Sequence, residues 1–428
     1  MSDKIYACID LKSFYASVEC VERGLDPMTA RLVVADPERE EATICLAVTP
    51  AMKRLGIANR CRVFEIPGGI DYIMAKPRMR LYMERSAEIY AIYLGFISPD
   101  DIHVYSIDEC FIDLTPYMKL YKMDARELVR MLMSEVMAKT GIPSSAGVGT
   151  NLFLSKVALD ILAKKSPDGI AELDKESFKT KIARHRPITD IWNIGPGIAR
   201  ALGTMGVYDL EGITRIPEDL LYKKFGVNAE YLIDHAYGRE SCTIADIKAY
   251  RPRATSISHS QVLFEPYSFE DARMILGEMI EVSVLEMIGK GLATDRISLT
   301  VGYNHSGRYG TPSFVAPKPS GASFRLSGHT NSLKLLTDSF YSVYDRTTER
   351  ALKVRNIAIG LGNLIDERYI EVDMFTDRDT LVREHALLSA IVDIKDRFGK
   401  NAIVKAAAFD KKSTARARNL MVGGHNGG

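Results

Sequence analysis

Between Lys4 and Lys165 the apolar positions switch repeatedly between alternation and helical spacing, which predicts strands and helices in turn. Residues 4–9 form a short β run ending at Asp10, and SFYASVECVER (13–23) has helical spacing. RLVVAD (31–36) and TICLAV (43–48) read as two strands joined by the charged turn PEREEA. PAMKRLGI opens a helix; Pro50 is tolerated in its first turn, where a missing N–H loses no bond. PRMRLYMERSAEIYAIYLGFI (77–97) reads as a long helix with apolar residues at 81, 82, 89, 93, 94 and 96. HVYSID and ECFIDLT form a hairpin-like pair of strands. MDARELVRMLMSEVMAKTG is a helix closed by Gly141, SSAGVGT a strand, and NLFLSKVALDILAKK a further helix.

The pattern then changes. Residues 171–240 are helical with short loops and contain ITDIWNIGPGIARALGTMGV (188–207). Residues 241–253 are irregular, end basic and read as a linker. A second α/β unit spans 254–365: strand SISHSQVLF, helix FEDARMILGEMIEVSVLEMIGKG, strand RISLTVGYN, a Gly/Pro/Ser-rich loop (305–323), strand SFRLSG, helix LKLLTDSFYSVYDRTTER and strand VRNIAIGLGNL. Residues 366–428 form a tail with one helix (380–398) and a Gly/His-rich end. The alternation in the first part implies a mixed sheet with helices packed on it, as in ferredoxin-like folds.

Composition narrows this little. With 46% hydrophobic and 26% charged residues, the 428-residue chain reads as globular and multidomain. A net charge of +1 announces no nucleic-acid partner, although a basic groove balanced by acids elsewhere is compatible with it. The six cysteines show no metal-like spacing and read as reduced core thiols of a cytoplasmic protein. No signal-peptide pattern opens the chain, and no apolar run approaches the roughly 18 residues of a membrane span; 274–289 is interrupted by Glu278, Glu281 and Glu286.

The chemistry begins with YSIDECFIDL (105–114), where Asp108 and Glu109 sit side by side in an apolar run. Burying like charges together is costly without a cation. If the strand ending at Asp10 is their neighbour, three carboxylates converge, a donor set suited to Mg²⁺ and to the paired ions of phosphoryl transfer. The alternative is acids at exposed strand ends that bind nothing. The Leu11 carbonyl could join such a site. Phe14 and Tyr15 follow at a helix start, where a ring under a nucleotide sugar would clash with a 2′-hydroxyl; the alternative is an ordinary core pair. Lys53, beside Arg54, and Lys156 lie on helices that follow strands, where lysines can neutralise a triphosphate. Ile194, Gly195 and Gly197 in NIGPGIARAL give a helix-hairpin-helix signal, whose second helix offers free N–H groups to a phosphate; a plain αα-hairpin is the alternative.

Six stretches in register resemble the Y-family (translesion) DNA polymerases over roughly residues 4–365: IDLKSFYASVE, AVTPAMKRLGI, SIDE, AGVGTNLFLSKVALD, IWNIGPGIARAL and SISHSQVLF. The tail is similar to the UmuC-like branch associated with Gram-positive phages and plasmids. The resemblance implies an α+β multidomain chain. Its parts would be a ferredoxin-like palm (1–30 and 75–170), small fingers (31–74), a helix-hairpin-helix thumb (171–240), a linker (241–253), a separate α/β little finger (254–365) and a C-terminal tail (366–428). It implies a low-fidelity, template-directed DNA polymerase that uses two Mg²⁺ ions, primer-template DNA and deoxynucleoside triphosphates to bypass damage in an SOS-type response. Asp10, Asp108 and Glu109 would hold the metals with the Leu11 carbonyl, and Tyr15 would be the steric gate preceded by Phe14. Lys53 and Lys156 would bind the triphosphate, and Ile194, Gly195 and Gly197 the DNA.

Two departures stand out. Pro50 replaces a Tyr found in many relatives three residues before Lys53, and the turn PEREE is acidic where many relatives carry Gly or Arg. In the tail, Glu371-Val372-Asp373-Met374-Phe375 looks like a degenerate sliding-clamp-binding pentapeptide without its first Gln, with Val372, Met374 and Phe375 as apolar anchors. A UmuD-like protein is a further candidate partner. Two rival readings are a nucleotide cyclase, which would need neither the helical hairpin nor the second unit, and a non-catalytic DNA-binding accessory that kept the fold.

Overall fold

The segment YACIDL is buried along almost its whole length because it becomes the middle strand of a sheet. In the computed structural model, which describes residues 4–37, 43–251, 255–305, 315–371 and 377–427, the chain divides into two units, Met1–Arg251 with Gly427–Gly428, and Pro252–Asn426. The first unit begins β1 (Tyr6–Leu11), α1 (Phe14–Val21), β2 (Leu32–Val34), β3 (Ala47–Val48), α2 (Pro50–Arg54), β4 (Ile73–Ala75) and α3 (Met79–Leu94). It continues β5 (Ile102–Val104), β6 (Glu109–Asp113), α4 (Thr115–Tyr121), α5 (Ala125–Thr140), β7 (Ser144–Gly149), α6 (Leu152–Val157) and β8 (Ile170–Leu173). The main sheet has the order β5-β6-β1-β7-β8, with β1 antiparallel to both neighbours. A strand paired on both edges and covered by helices reads as a continuous apolar run, as β1 does.

Local sequence explains the helix ends. Asp124 and Glu127 form a reciprocal cap at the start of α5, and Gly141 ends it in the left-handed region at φ 68°. Gly147 and Gly149 have a different use. A Cβ added at Gly147 would lie 2.1 Å from the Ser155 carbonyl oxygen, and one at Gly149 2.3 Å from the Ser155 nitrogen. Only bare backbone lets α6 lie directly on β7.

The single helix expected over NLFLSKVALDILAKK is three pieces: α6, a π turn at Ala158–Leu162 and a 3₁₀ turn at Ala163–Lys165. Lys156 and Lys164 both pair with Asp160, each four residues from it. Strand β8, parallel to β7, carries the sheet into the stretch expected to be helical. β4, which the hydrophobic pattern does not reveal, completes a small sheet β3-β2-β4 around Val33, Cys45, Val48 and Met52.

Six helices follow: α7 (Lys175–Lys181), α8 (Pro196–Gly203), α9 (Leu210–Ile213), α10 (Glu218–Phe225), α11 (Ala229–Ala236) and α12 (Ile244–Ala249). The last corrects the expectation of an irregular linker. Thr243 caps the Asp246 N–H, and Ile244 is buried in one cluster with Tyr6, Cys8 and Phe111, so most of this segment belongs to the first unit's core.

The second unit runs β9 (Ser256–Tyr267), α13 (Phe269–Gly289), β10 (Leu292–Tyr303), β11 (Ser320–Thr330), α14 (Leu333–Thr347) and β12 (Val354–Gly362). Its sheet has the antiparallel order β11-β10-β12-β9, with the β10 and β12 cores packed on α13 and α14. The tail is part of this unit. Helix α15 (Arg378–Phe398) packs on α13 and buries Leu388 in the same core. Farther on, Thr414 is buried and bonded to Gln261 and Glu278. Val372, Met374 and Phe375 lie outside the described residues. Among the described residues no helix is long and apolar enough to cross a membrane.

Replacing Gly147 by Ala drives a Cβ into the α6 backbone. We expect a loss of about 3 kcal/mol, read as a lower urea midpoint of the first transition.

Candidate active site

Strand register creates the site. The antiparallel pairing sets Asp10 opposite Glu109 on one side and Ser145 on the other, and the Leu11 N–H donates to the Asp108 carbonyl at 2.9 Å. The turn before β6 is closed by the N–H groups of Tyr105 and Ser106, which both donate to the Glu109 carbonyl at 3.0 and 3.1 Å. The Ser106 hydroxyl donates to Asp108 Oδ1 at 2.7 Å and accepts from the Glu109 N–H at 3.1 Å. This explains the serine in SIDE: it fixes the pair of acids from below.

Burial pushes the Asp10 carboxyl up to about 7; Lys164 and Lys156 oppose the rise, while Glu109 and Asp108 add to it. The three acids therefore share one electrostatic environment. Their side chains do not close on a common point: among the described residues no three His, Cys, Asp or Glu groups gather as an ion's ligands. Glu109 is instead ion-paired with Lys156, which also bonds Asp160 at 3.1 Å, while Asp108 is held by Ser106. Repulsion between like charges is relieved through these donors.

Phe14 is buried, and Tyr15 stands half-open beside it. The Tyr15 ring stacks on Tyr82 with centroids 4.6 Å apart, and burial together with the Asp108 charge raises its hydroxyl. Tyr82 is anchored through its hydroxyl to Glu19 Oε1 at 2.7 Å. Glu19 is completely buried and also receives a two-pronged bond from Arg78, at 2.9 and 2.8 Å, and a bond from Arg23. Burial alone would raise this carboxyl, but Arg78, Tyr82 and Arg23 outweigh it and hold it down.

The expected lysines are used differently from one another. Lys53 is exposed as a residue, yet desolvation of its ammonium lowers it, against the attraction of Asp10 and with the repulsion of Lys164. Lys53, Lys164 and Asp10 thus sense one another directly. Lys156 is only 6% exposed, and its charge is committed to Glu109 and Asp160. Lys164 is the residue that sequence reasoning misses. Its signal is the AKK at the end of an apparent helix, where Lys164 follows Asp160 by four positions and pairs with it at 3.0 Å.

In the helical region Ile194 is buried, whereas Gly195 and Gly197 are exposed with nothing within 4 Å of where a Cβ would stand. Gly195 is the N-cap of α8 and brings no side chain to its first N–H groups, which stay open to a partner.

Because its folded pKa is raised, Asp10 binds more protons folded than unfolded between about pH 4 and 7, and its penalty is complete above 7. Asp10→Asn should therefore raise stability at pH 8 by about 4 kcal/mol and change little at pH 4. Paired urea melts at the two pH values measure this.

Residues 9–160 match the impB/mucB/samB family. A Bacillus subtilis protein named UvrX for UV-damage repair is 30% identical over 98% of this chain and 96% of its own length. The same organism's DNA polymerase IV 2 is 29% identical over 99% of each chain. Among solved structures, a Y-family DNA polymerase chimera superposes with a TM-score of 0.61 at 20% identity, covering 84% of this chain and 99% of its own.

Proposed function

We propose, for a chain that belongs to the impB/mucB/samB family of Y-family DNA polymerases, a division of labour among the residues just described. The protein is a translesion DNA polymerase: it binds primer-template DNA and adds nucleotides to the primer end. Members of this family depend on divalent metal. The domain reading that goes with it is a palm built on the β5-β6-β1-β7-β8 sheet, fingers on β3-β2-β4, a helical thumb and a little finger in the second unit.

Asp10, Asp108 and Glu109, with the Leu11 carbonyl, hold two Mg²⁺ ions. Four hard oxygen donors suit that ion, and burial together with the Glu109 and Asp108 charges keeps the Asp10 carboxyl raised despite Lys164 and Lys156, so a further cation would be favoured there. Such ions, when bound, neutralise phosphate charge and favour ionisation of the primer 3′-hydroxyl. The chain's own side chains do the rest. Lys53 and Lys164 bind the triphosphate as point charges. Lys156, which holds Glu109 in register, is a further candidate for the triphosphate. Tyr15, braced by Tyr82, occupies the space a 2′-hydroxyl would need. Open N–H groups at Gly195 and Gly197 take a DNA phosphate, on a turn fixed by the buried Ile194, whose own N–H donates to the Ile191 carbonyl at 3.0 Å. Catalysis then rests mainly on positioning and electrostatics. The carrying observation is the facing pair Asp10 and Glu109 with Asp108 in the adjoining turn.

The tail pentapeptide at 371–375 is proposed as a sliding-clamp contact on its sequence pattern alone, and a UmuD-like protein as an accessory. Retention of the chain by an immobilised clamp, and its loss in Phe375→Ala, tests the first; co-purification with a UmuD-like protein tests the second.

Asp108→Ala should reduce primer extension at least ~10³-fold, and a wild-type rate would sink the assignment. Tyr15→Ala should admit ribonucleotides with deoxynucleotide incorporation largely kept, measured as the ratio of incorporation efficiencies. Lys164→Ala should raise the nucleotide KM by roughly tenfold with DNA affinity unchanged, as expected for loss of one charge-assisted contact.

A further inference from the structure

The turn that carries the acids is tied to the helical region through two aromatic side chains. Trp192 stands two residues before Ile194, at the entry to the helical hairpin, and its indole N–H donates to the Tyr105 hydroxyl at 3.0 Å. Tyr105 immediately precedes Ser106, and its own N–H is bonded to the Glu109 carbonyl at 3.0 Å. The rings reinforce the bond. Tyr105 meets Trp192 edge-on at 5.9 Å and Phe111 edge-on at 5.7 Å, and Trp192 is 6.0 Å from Phe111. The Lys156 ammonium, ion-paired with Glu109, lies 6.0 Å above the Tyr105 ring.

These contacts form one short mechanical path. A displacement of the hairpin at Ile194–Gly197 moves Trp192, Trp192 moves Tyr105, and Tyr105 reaches Glu109 through its backbone bond and through Lys156. Trp192 packs partly against the core, but Tyr105 is 43% exposed and the bond between them sits at the surface, so Tyr105 is not there to fill a core. A polar bond between two large rings at an exposed junction fixes orientation more than it adds stability.

We infer that Tyr105 and Trp192 are positioning residues that couple the seating of duplex DNA on the helical hairpin to the alignment of Asp108 and Glu109. The inference rests on the carboxylate assignment above. DNA held at Gly195 and Gly197 sets the hairpin, and the strut passes that setting to the turn. A primer end would then be extended at full rate only when the duplex behind it is gripped.

The test uses the full chain with Tyr105→Phe and Trp192→Phe, each of which keeps an aromatic ring and removes one partner of the bond. In single-turnover primer extension, each variant should be slowed about fivefold, the equivalent of one lost hydrogen bond. DNA affinity and nucleotide half-saturation should stay within about twofold, and the double variant should be no slower than either single. The chain has one tryptophan, so its emission reports on this junction: the change on adding primer-template in the wild type should be much reduced in Tyr105→Phe. Unchanged single-turnover rates, slowing that multiplies in the double variant, or an undiminished emission change would each overturn the coupling. Asp108→Ala run in parallel separates the two layers. A fully active Asp108→Ala overturns the carboxylate assignment and the coupling built on it, whereas an inactive one beside a normal Tyr105→Phe overturns the coupling alone.

Discussion

Asp10 and Glu109 are held opposite each other across two antiparallel strands, and Lys156 is the cation that makes this opposition tolerable. A lone buried carboxylate costs several kcal/mol, and two neighbours cost more. The sheet offsets that penalty locally by bringing α6 so close to β7 that Lys156 reaches across to Glu109. Gly147 and Gly149 make the approach sterically allowed. The local architecture is thus organised around keeping acids together that would otherwise separate: bare backbone at β7, a lysine on α6 and a serine-closed turn before β6.

The same logic extends behind Tyr15. In the proposed role the Tyr15 ring must not swing away, and its backing is a closed network. Tyr82 lies flat against it, and Glu19, without access to water, is saturated by two guanidinium groups and that tyrosine's hydroxyl. Removing one partner of a fully desolvated group leaves the others unpaired, which is why such networks are stiff. The acids and the Tyr15 ring therefore rest on two separate charged networks, one through Lys156 and one through Glu19.

Much of this is legible in the sequence. Short β-like runs give β1, β6 and β7 nearly to the residue, and two adjacent acids in an apolar run single out Asp108 and Glu109. The unread parts share one cause: they depend on contacts between residues far apart in the chain. Glu109 and Lys156 are 47 positions apart, and nothing in either segment announces the pair. The π turn at Ala158–Leu162 has the same apolar spacing as an ordinary helix over so short a stretch. Helix α12 is too short to show a period and reads as linker, although Ile244 docks in the core. The residues after 398 look like an appendage because their anchors, Gln261 and Glu278, belong to elements more than a hundred positions earlier.

Those anchors bear on how the chain can be shortened. Trimming at Phe398 would take away the donors that Ser413 and Thr414 bring to Glu278, and would strip the Gln261 amide of both Thr414 and Arg418. An acid and an amide on the outer surface of the second unit would lose their covering, and β9, the edge strand of its sheet, would lie beside freshly bared polar groups. A fragment ended there would keep α15 but lose every one of these ties to β9 and α13, so the apparent appendage is part of the second unit's own hydrogen-bond network.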